Sequence, residues 1–80
     1  MVQMYVFNVY VEIEKDYKEA VASYDTLEEA IAYAKQLEGI TEIVVIPTED
    51  PDDDPDVAEW FEYFSDYEPY EVVWSNKIED

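Results

Sequence analysis

Between Glu49 and Glu71 the chain carries eleven carboxylates in 23 residues: Glu49, Asp50, Asp52, Asp53, Asp54, Asp56, Glu59, Glu62, Asp66, Glu68 and Glu71, with no basic residue among them. Carboxylates at this density can ligate hard cations, act in pairs as acid and base, or face the Lys and Arg side chains of another protein. A calcium loop fails on spacing. Asp50-Pro51-Asp52-Asp53-Asp54-Pro55-Asp56 has the alternating acids, but Pro55 stands at the sixth position, where glycine makes the turn, and Phe61 at the twelfth, where a bidentate Glu belongs. Paired-carboxylate catalysis needs only two acids about 5–10 Å apart, which any acidic protein supplies. No acid here stands in an apolar setting that would raise its pKa, so no enzyme, no cofactor and no metal site are expected. Docking fits best. Carboxylates three and four residues apart on a helix lie about 5–6 Å from one another, a scale comparable to phosphates along a nucleic-acid strand. Such a face can occupy Lys/Arg sites built for DNA or RNA.

Composition supports this choice. Eighty residues hold 4 Lys+Arg against 22 Asp+Glu, a formal charge of 4 − 22 = −18, and the four cations are all lysine. A chain this acidic cannot coat a phosphate backbone, and the same sign excludes anionic membrane surfaces. Without His or Cys there is no imidazole base, no Ser-His or Cys-His nucleophile, no zinc site of the usual kind and no disulfide. Yet 49% of the residues are hydrophobic and 16% aromatic, too many for a disordered chain. The start, MVQMYVFNVYVEIEKD, lacks a basic n-region, and no apolar run approaches the ~20 residues that span a bilayer. One acidic cytoplasmic domain, residues 1–80, is expected, held together by packing alone.

The elements that must position the acids are legible in the hydropathy pattern. Tyr5, Phe7, Val9, Val11 and Ile13 alternate along a strand whose other face is partly apolar, as in a central strand. Glu14-Lys15-Asp16-Tyr17 reads as a hairpin connection to a weaker strand from Lys18 to Tyr24. Thr26 and Glu29 have capping-box spacing, with the Glu29 side chain reaching back to the Thr26 N–H. Leu27, Ala30, Ile31, Ala34 and Leu37 form one apolar stripe, closed by Gly39. Ile43-Val44-Val45-Ile46 is a β-branched run without periodicity, an inner strand. Thr48 to Asp56 is a loop, Asp54-Pro55 an N-cap with proline at the first helical position, and Val57, Trp60, Phe61 and Phe64 the apolar face of a second helix. Its other face carries Asp56, Glu59, Glu62 and Asp66. A last strand alternates Tyr70, Val72 and Trp74 against Glu71, Val73 and Ser75. The order ββαβαβ predicts an α+β two-layer sandwich: a four-stranded, mainly antiparallel sheet with both helices over one face.

Tyr5, Phe7, Trp60, Phe61, Phe64 and Trp74 are expected in the core. Tyr63, Tyr67 and Tyr70 fall near the acidic face, where tyrosine beside carboxylates suits an interface anchor. Simple solvation of the charged face is the plain alternative, but near-absence of lysine pairing and the cost of self-repulsion weigh against it. Adaptation to high salt fits poorly with a single Gly, no Arg and many bulky aromatics.

In size, charge and architecture the chain resembles the small acidic inhibitors encoded by bacteriophages: DNA-mimic anti-restriction proteins, uracil-DNA glycosylase inhibitors and anti-CRISPR proteins. The resemblance rests on the acidic stretch from Glu49 to Glu71 and the compact α+β pattern. Those inhibitors share no common fold, so no residue role is carried over. The resemblance implies a phage protein in the bacterial cytoplasm that occupies the nucleic-acid-binding surface of a defence complex or nuclease. The expected partner is a Lys/Arg-rich nucleic-acid-binding protein, met by Glu49, Asp50, Asp52, Asp53, Asp54, Asp56, Glu59, Glu62, Tyr63, Asp66 and Tyr67. The chain itself would be a monomer or homodimer. An immunity or antitoxin-like protein that neutralises a basic toxin nuclease is the alternative. A third class, an assembly protein dimerising through a sheet edge, predicts self-association insensitive to salt.

Overall fold

The computed structural model describes residues 4–77. The order is β1 (Tyr5–Glu14), β2 (Tyr17–Tyr24), α1 (Leu27–Ala34), β3 (Thr41–Pro47), α2 (Pro55–Phe64) and β4 (Val72–Ser75). All strand pairs are antiparallel in one sheet of order β2-β1-β3-β4. The two strands with the most β-branched and aromatic residues in number, β1 and β3, thus take the inner positions, and the Ala-containing β2 and the short β4 take the edges.

β1 pairs with β3 from Tyr5↔Pro47 to Val11↔Thr41 without a shift. That register puts Phe7 and Val9 on the same face as Val45 and Ile43. Both helices cover this face: Ala30 and Ala34 of α1, with Val57 and Phe61 of α2, complete the buried cluster. Val9, Ile43, Val45 and Val57 are essentially inaccessible, each contributing ~1.5–3 kcal/mol on burial. β3 corrects the sequence reading in one respect. Its apolar run has no period, yet its burial alternates strictly, because Val44 and Ile46 lie on the second sheet face, which no helix covers. Ile13, at the far end of β1, extends past the helices and is exposed.

The connections follow their chemistry. β1 and β2 are joined by Lys15 and Asp16, and Asp16 takes φ 68, a conformation short polar side chains tolerate. β2 begins at Tyr17, one residue before the predicted start. A bulge lies between Val9 and Tyr10, where β2 carries the extra residue. On the uncovered face Lys18 pairs with Glu42 at 2.6 Å, which raises the lysine's pKa. Thr26 caps α1, its hydroxyl oxygen accepting from Glu29 N at 3.3 Å, while the Glu29 carboxylate accepts from the Thr26 hydroxyl at 3.0 Å. The α-helix ends at Ala34, and the last turn tightens: Gln36 N donates to Tyr33 O and Leu37 N to Ala34 O. Gly39 then turns the chain at φ 90.

Asn76 locks this turn to the end of β4. Its Oδ1 accepts from Thr41 N at 2.7 Å and its Nδ2 donates to Gly39 O at 3.0 Å. The Thr41 side chain is fully buried, and its hydroxyl has no hydrogen-bond partner. Thr41→Val keeps the shape and removes that orphan group, so it is expected to stabilise the fold by about 1 kcal/mol, seen as a rise of ~4–8 °C in Tm. A fall in Tm would show that the hydroxyl is satisfied in solution.

Candidate protein-binding surface

The acidic stretch is built on α2 and the turns that flank it. Asp50 organises the loop: its carboxylate accepts from Asp52 N at 2.9 Å and its carbonyl from Asp54 N at 2.8 Å. Asp54 caps α2, its Oδ1 accepting from Asp56 N at 3.0 Å, and Pro55 opens the helix. Asp50 and Asp54 therefore hold the loop in shape; Asp54 is half-buried, while Glu49, Asp50, Asp52, Asp53, Asp56, Glu59, Glu62 and Asp66 are exposed.

Aromatic packing fixes α2 to the sheet. Tyr5 is the hub, its ring centroid 5.6 Å from Trp60, 5.8 Å from Phe61, 5.7 Å from Tyr67 and 5.3 Å from Phe7. Burial raises the Tyr5 pKa, and the neighbouring Tyr67 and Asp66 add to the effect. Tyr67 also meets Phe7 edge-on at 5.6 Å. It is thus partly core, a correction to its reading as an exposed anchor. Tyr63 is 68% exposed, as that reading requires. Phe64, expected in the core, is 62% exposed, because it lies at the last position of α2 beyond the edge of the sheet's cover.

Three of the four acids of the sequence reading share one exposed face of α2: Asp56, Glu59 and Glu62 follow one another at i, i+3 and i+6, with Tyr63 beside Glu59 at i+4 and Ala58 beside Glu62. Asp66 is not on the helix, which ends at Phe64. It follows Ser65, whose hydroxyl accepts from Tyr67 N at 3.0 Å and donates to Tyr67 O at 3.1 Å.

A groove of about 550 Å³ opens beside the Ala58–Glu62 flank. The buried Phe61 gives it an apolar base, Pro51, Ala58, Tyr67 and Pro69 add to its apolar lining, and Asp52, Glu62 and Glu68 are the acidic residues that line it. Tyr70 completes the lining, 58% exposed. The turn beneath it is closed by Glu71 N donating to Glu68 O at 3.2 Å, with Pro69 second and Tyr70 third at φ 65. That third position normally takes glycine. Tyr70 N donates to Val45 O and Val45 N to Glu71 O, so pairing with β3 begins before the regular strand, which starts at Val72 instead of Tyr70. The partner-binding set read from the sequence lacks Pro51, Ala58, Phe61, Glu68, Pro69 and Tyr70, although Tyr70 is named there as a tyrosine near the acidic face. The Glu68-Pro69 pair was the available signal, since proline favours the second position of such a turn.

Glu49 and Asp54 are close enough for their carboxyls to share a hydrogen bond, which, with the Asp54 charge, raises the Glu49 pKa above its ordinary 4.5. An acid whose folded pKa exceeds its unfolded value binds more protons when folded, so stability rises as pH falls through the folded value. Relief of the −18 self-repulsion acts in the same direction. Tm at low salt is therefore expected to be higher near pH 5 than near pH 8, with a smaller difference at about 0.5 M salt. A thermal-melting series with its maximum at pH 8 would contradict this.

Among the described residues no group of three or more acids is arranged to hold a metal ion, and no helix is long and apolar enough to cross a membrane. Comparison with known proteins finds no family model that matches the chain, no curated protein that matches it and no solved structure that matches its fold.

Proposed function

We propose that the chain is an inhibitor that binds a nucleic-acid-binding protein or complex, such as a CRISPR effector or another defence nuclease. Its acidic surface mimics nucleic acid and blocks DNA or RNA binding. One observation carries this reading: the exposed carboxylates from Glu49 to Asp66 are displayed on a capped helix and an ordered loop, and the four lysines all lie outside that stretch. Carboxylates held in place lose less entropy on meeting a partner's Arg and Lys side chains than carboxylates on a floppy tail. Concentrated charge steers the encounter, and Tyr63 offers contact area that salt does not screen.

The test is capture by the tagged full chain from bacterial lysate at about 0.1 M and about 0.5 M salt, with bound proteins identified by mass spectrometry. Screening lengths fall from ~10 Å at 0.1 M towards ~3 Å at 1 M, so an electrostatic complex weakens across this range. One nucleic-acid-binding complex enriched at the lower salt is the expected result. A scatter of unrelated basic proteins, all lost at the higher salt, would overturn the proposal and leave the acidity as a solubility feature.

A further inference from the structure

The groove beside α2 differs from the rest of the acidic surface, because it adds a shaped apolar floor to the charge. Phe61 is buried at its base, Tyr67 presents a half-buried ring, and Asp52, Glu62 and Glu68 contribute three carboxylates. None of the residues lining it is basic. At about 550 Å³ it falls in the ~300–1,000 Å³ range of clefts that enclose a small ligand, more room than a bare ion needs.

We infer that this groove holds an arginine side chain of the partner protein, its aliphatic stem over Ala58 and Phe61 and its guanidinium between the tyrosine rings and the carboxylates of Asp52, Glu62 and Glu68. This rests on the reading of the acidic surface as a partner-binding face, and adds the residue type that anchors it. Charge complementarity demands a cation, and the floor demands that the cation bring apolar surface with it. Arginine meets both demands better than lysine. Its guanidinium is planar, weakly hydrated, stacks on aromatic rings and offers paired N–H donors to a carboxylate, whereas the lysine ammonium is a strongly hydrated point charge. Tyr70 fits the same role. It lines the groove although its φ of 65 is a conformation glycine would adopt without strain.

The test needs no partner protein, so its failure is separate from any failure of the capture experiment. The ¹⁵N-labelled full chain is titrated with N-acetyl-arginine methylamide, and in parallel with the lysine and citrulline derivatives, and amide shifts are followed by NMR. Citrulline has arginine's shape without its charge. The expected result is a saturable shift centred on Ala58, Glu62 and Tyr70, at least about threefold tighter for arginine than for lysine and about tenfold tighter than for citrulline. In Ala58→Trp, which fills the groove and leaves every charge in place, the saturable shift is expected to vanish while the unliganded spectrum stays dispersed. In Glu62→Gln/Glu68→Gln the affinity is expected to fall at least fivefold. Shifts spread along the whole Glu49–Glu71 stretch and equal for arginine and lysine would overturn the inference, since they mark a counter-ion atmosphere. Saturable binding that survives in Ala58→Trp, or no saturable binding to the native chain, would overturn it as well.

Discussion

A variant carrying Asp53→Asn, Asp56→Asn, Glu59→Gln and Asp66→Asn is expected to bind the captured partner on the order of a hundredfold more weakly than the native chain at about 0.1 M salt. The four side chains are exposed and none lines the groove. Each exposed ion pair at an interface is worth about 0.5–1 kcal/mol, so four lost pairs remove ~2–4 kcal/mol. The salt dependence of binding should flatten at the same time, since fewer charges remain to be screened. The fold should not suffer: the net charge falls from −18 to −14, which relieves self-repulsion, against a few tenths of a kcal/mol lost when Asp56 leaves the first turn of α2. Calorimetry on both proteins checks the pair of effects. Binding within threefold of the native value, with the salt dependence unchanged, would place the partner's contacts elsewhere on the molecule.

Phe61→Ala acts through the opposite property. Phe61 is buried, packs on Tyr5 and Trp60, and forms the floor of the groove above the sheet. Removing a buried phenylalanine side chain costs about 3–5 kcal/mol. A chain of this size has ~4–12 kcal/mol of stability in all, so the loss is a large share of it. Tm is expected to fall by ~15 °C or more, and at 37 °C a measurable fraction of molecules should be unfolded. Chemical denaturation gives the free energy directly. A loss below 1 kcal/mol would mean that α2 is not seated on the sheet through this residue, and the carboxylates it carries would then lack the fixed geometry described above.

Much of this geometry was legible in the chain. The capping spacing of Thr26 and Glu29, the Asp54-Pro55 helix start, the alternation in β1 and the spacing of Val57 and Phe61 each have a local cause, and each element formed where that cause lies. What escaped was set by tertiary context. Whether Phe64 or Tyr67 is buried depends on where α2 ends relative to the sheet, and a helical stripe alone cannot show that the sheet stops short. The helix stripe also ran too far. Asp66 continued the acidic spacing, but Ser65 leaves the helix with φ −107 and ψ 143, so the fourth acid of the supposed face lies in a turn. Of the surface residues, the carboxylates announced themselves by number. The groove did not, because Pro51, Ala58 and Tyr70 come from three separate segments and meet only through the docking of α2 against the turn at 68–71.

The most direct test of the account is competition. A labelled nucleic acid is bound to the captured partner, and its apparent Kd is measured against increasing concentrations of the full chain. Mimicry of nucleic acid predicts that the apparent Kd rises linearly with inhibitor concentration, without limit, and that no complex containing all three components forms. A plateau in the apparent Kd, or a stable ternary complex with the nucleic acid held at its original affinity, would contradict the central claim.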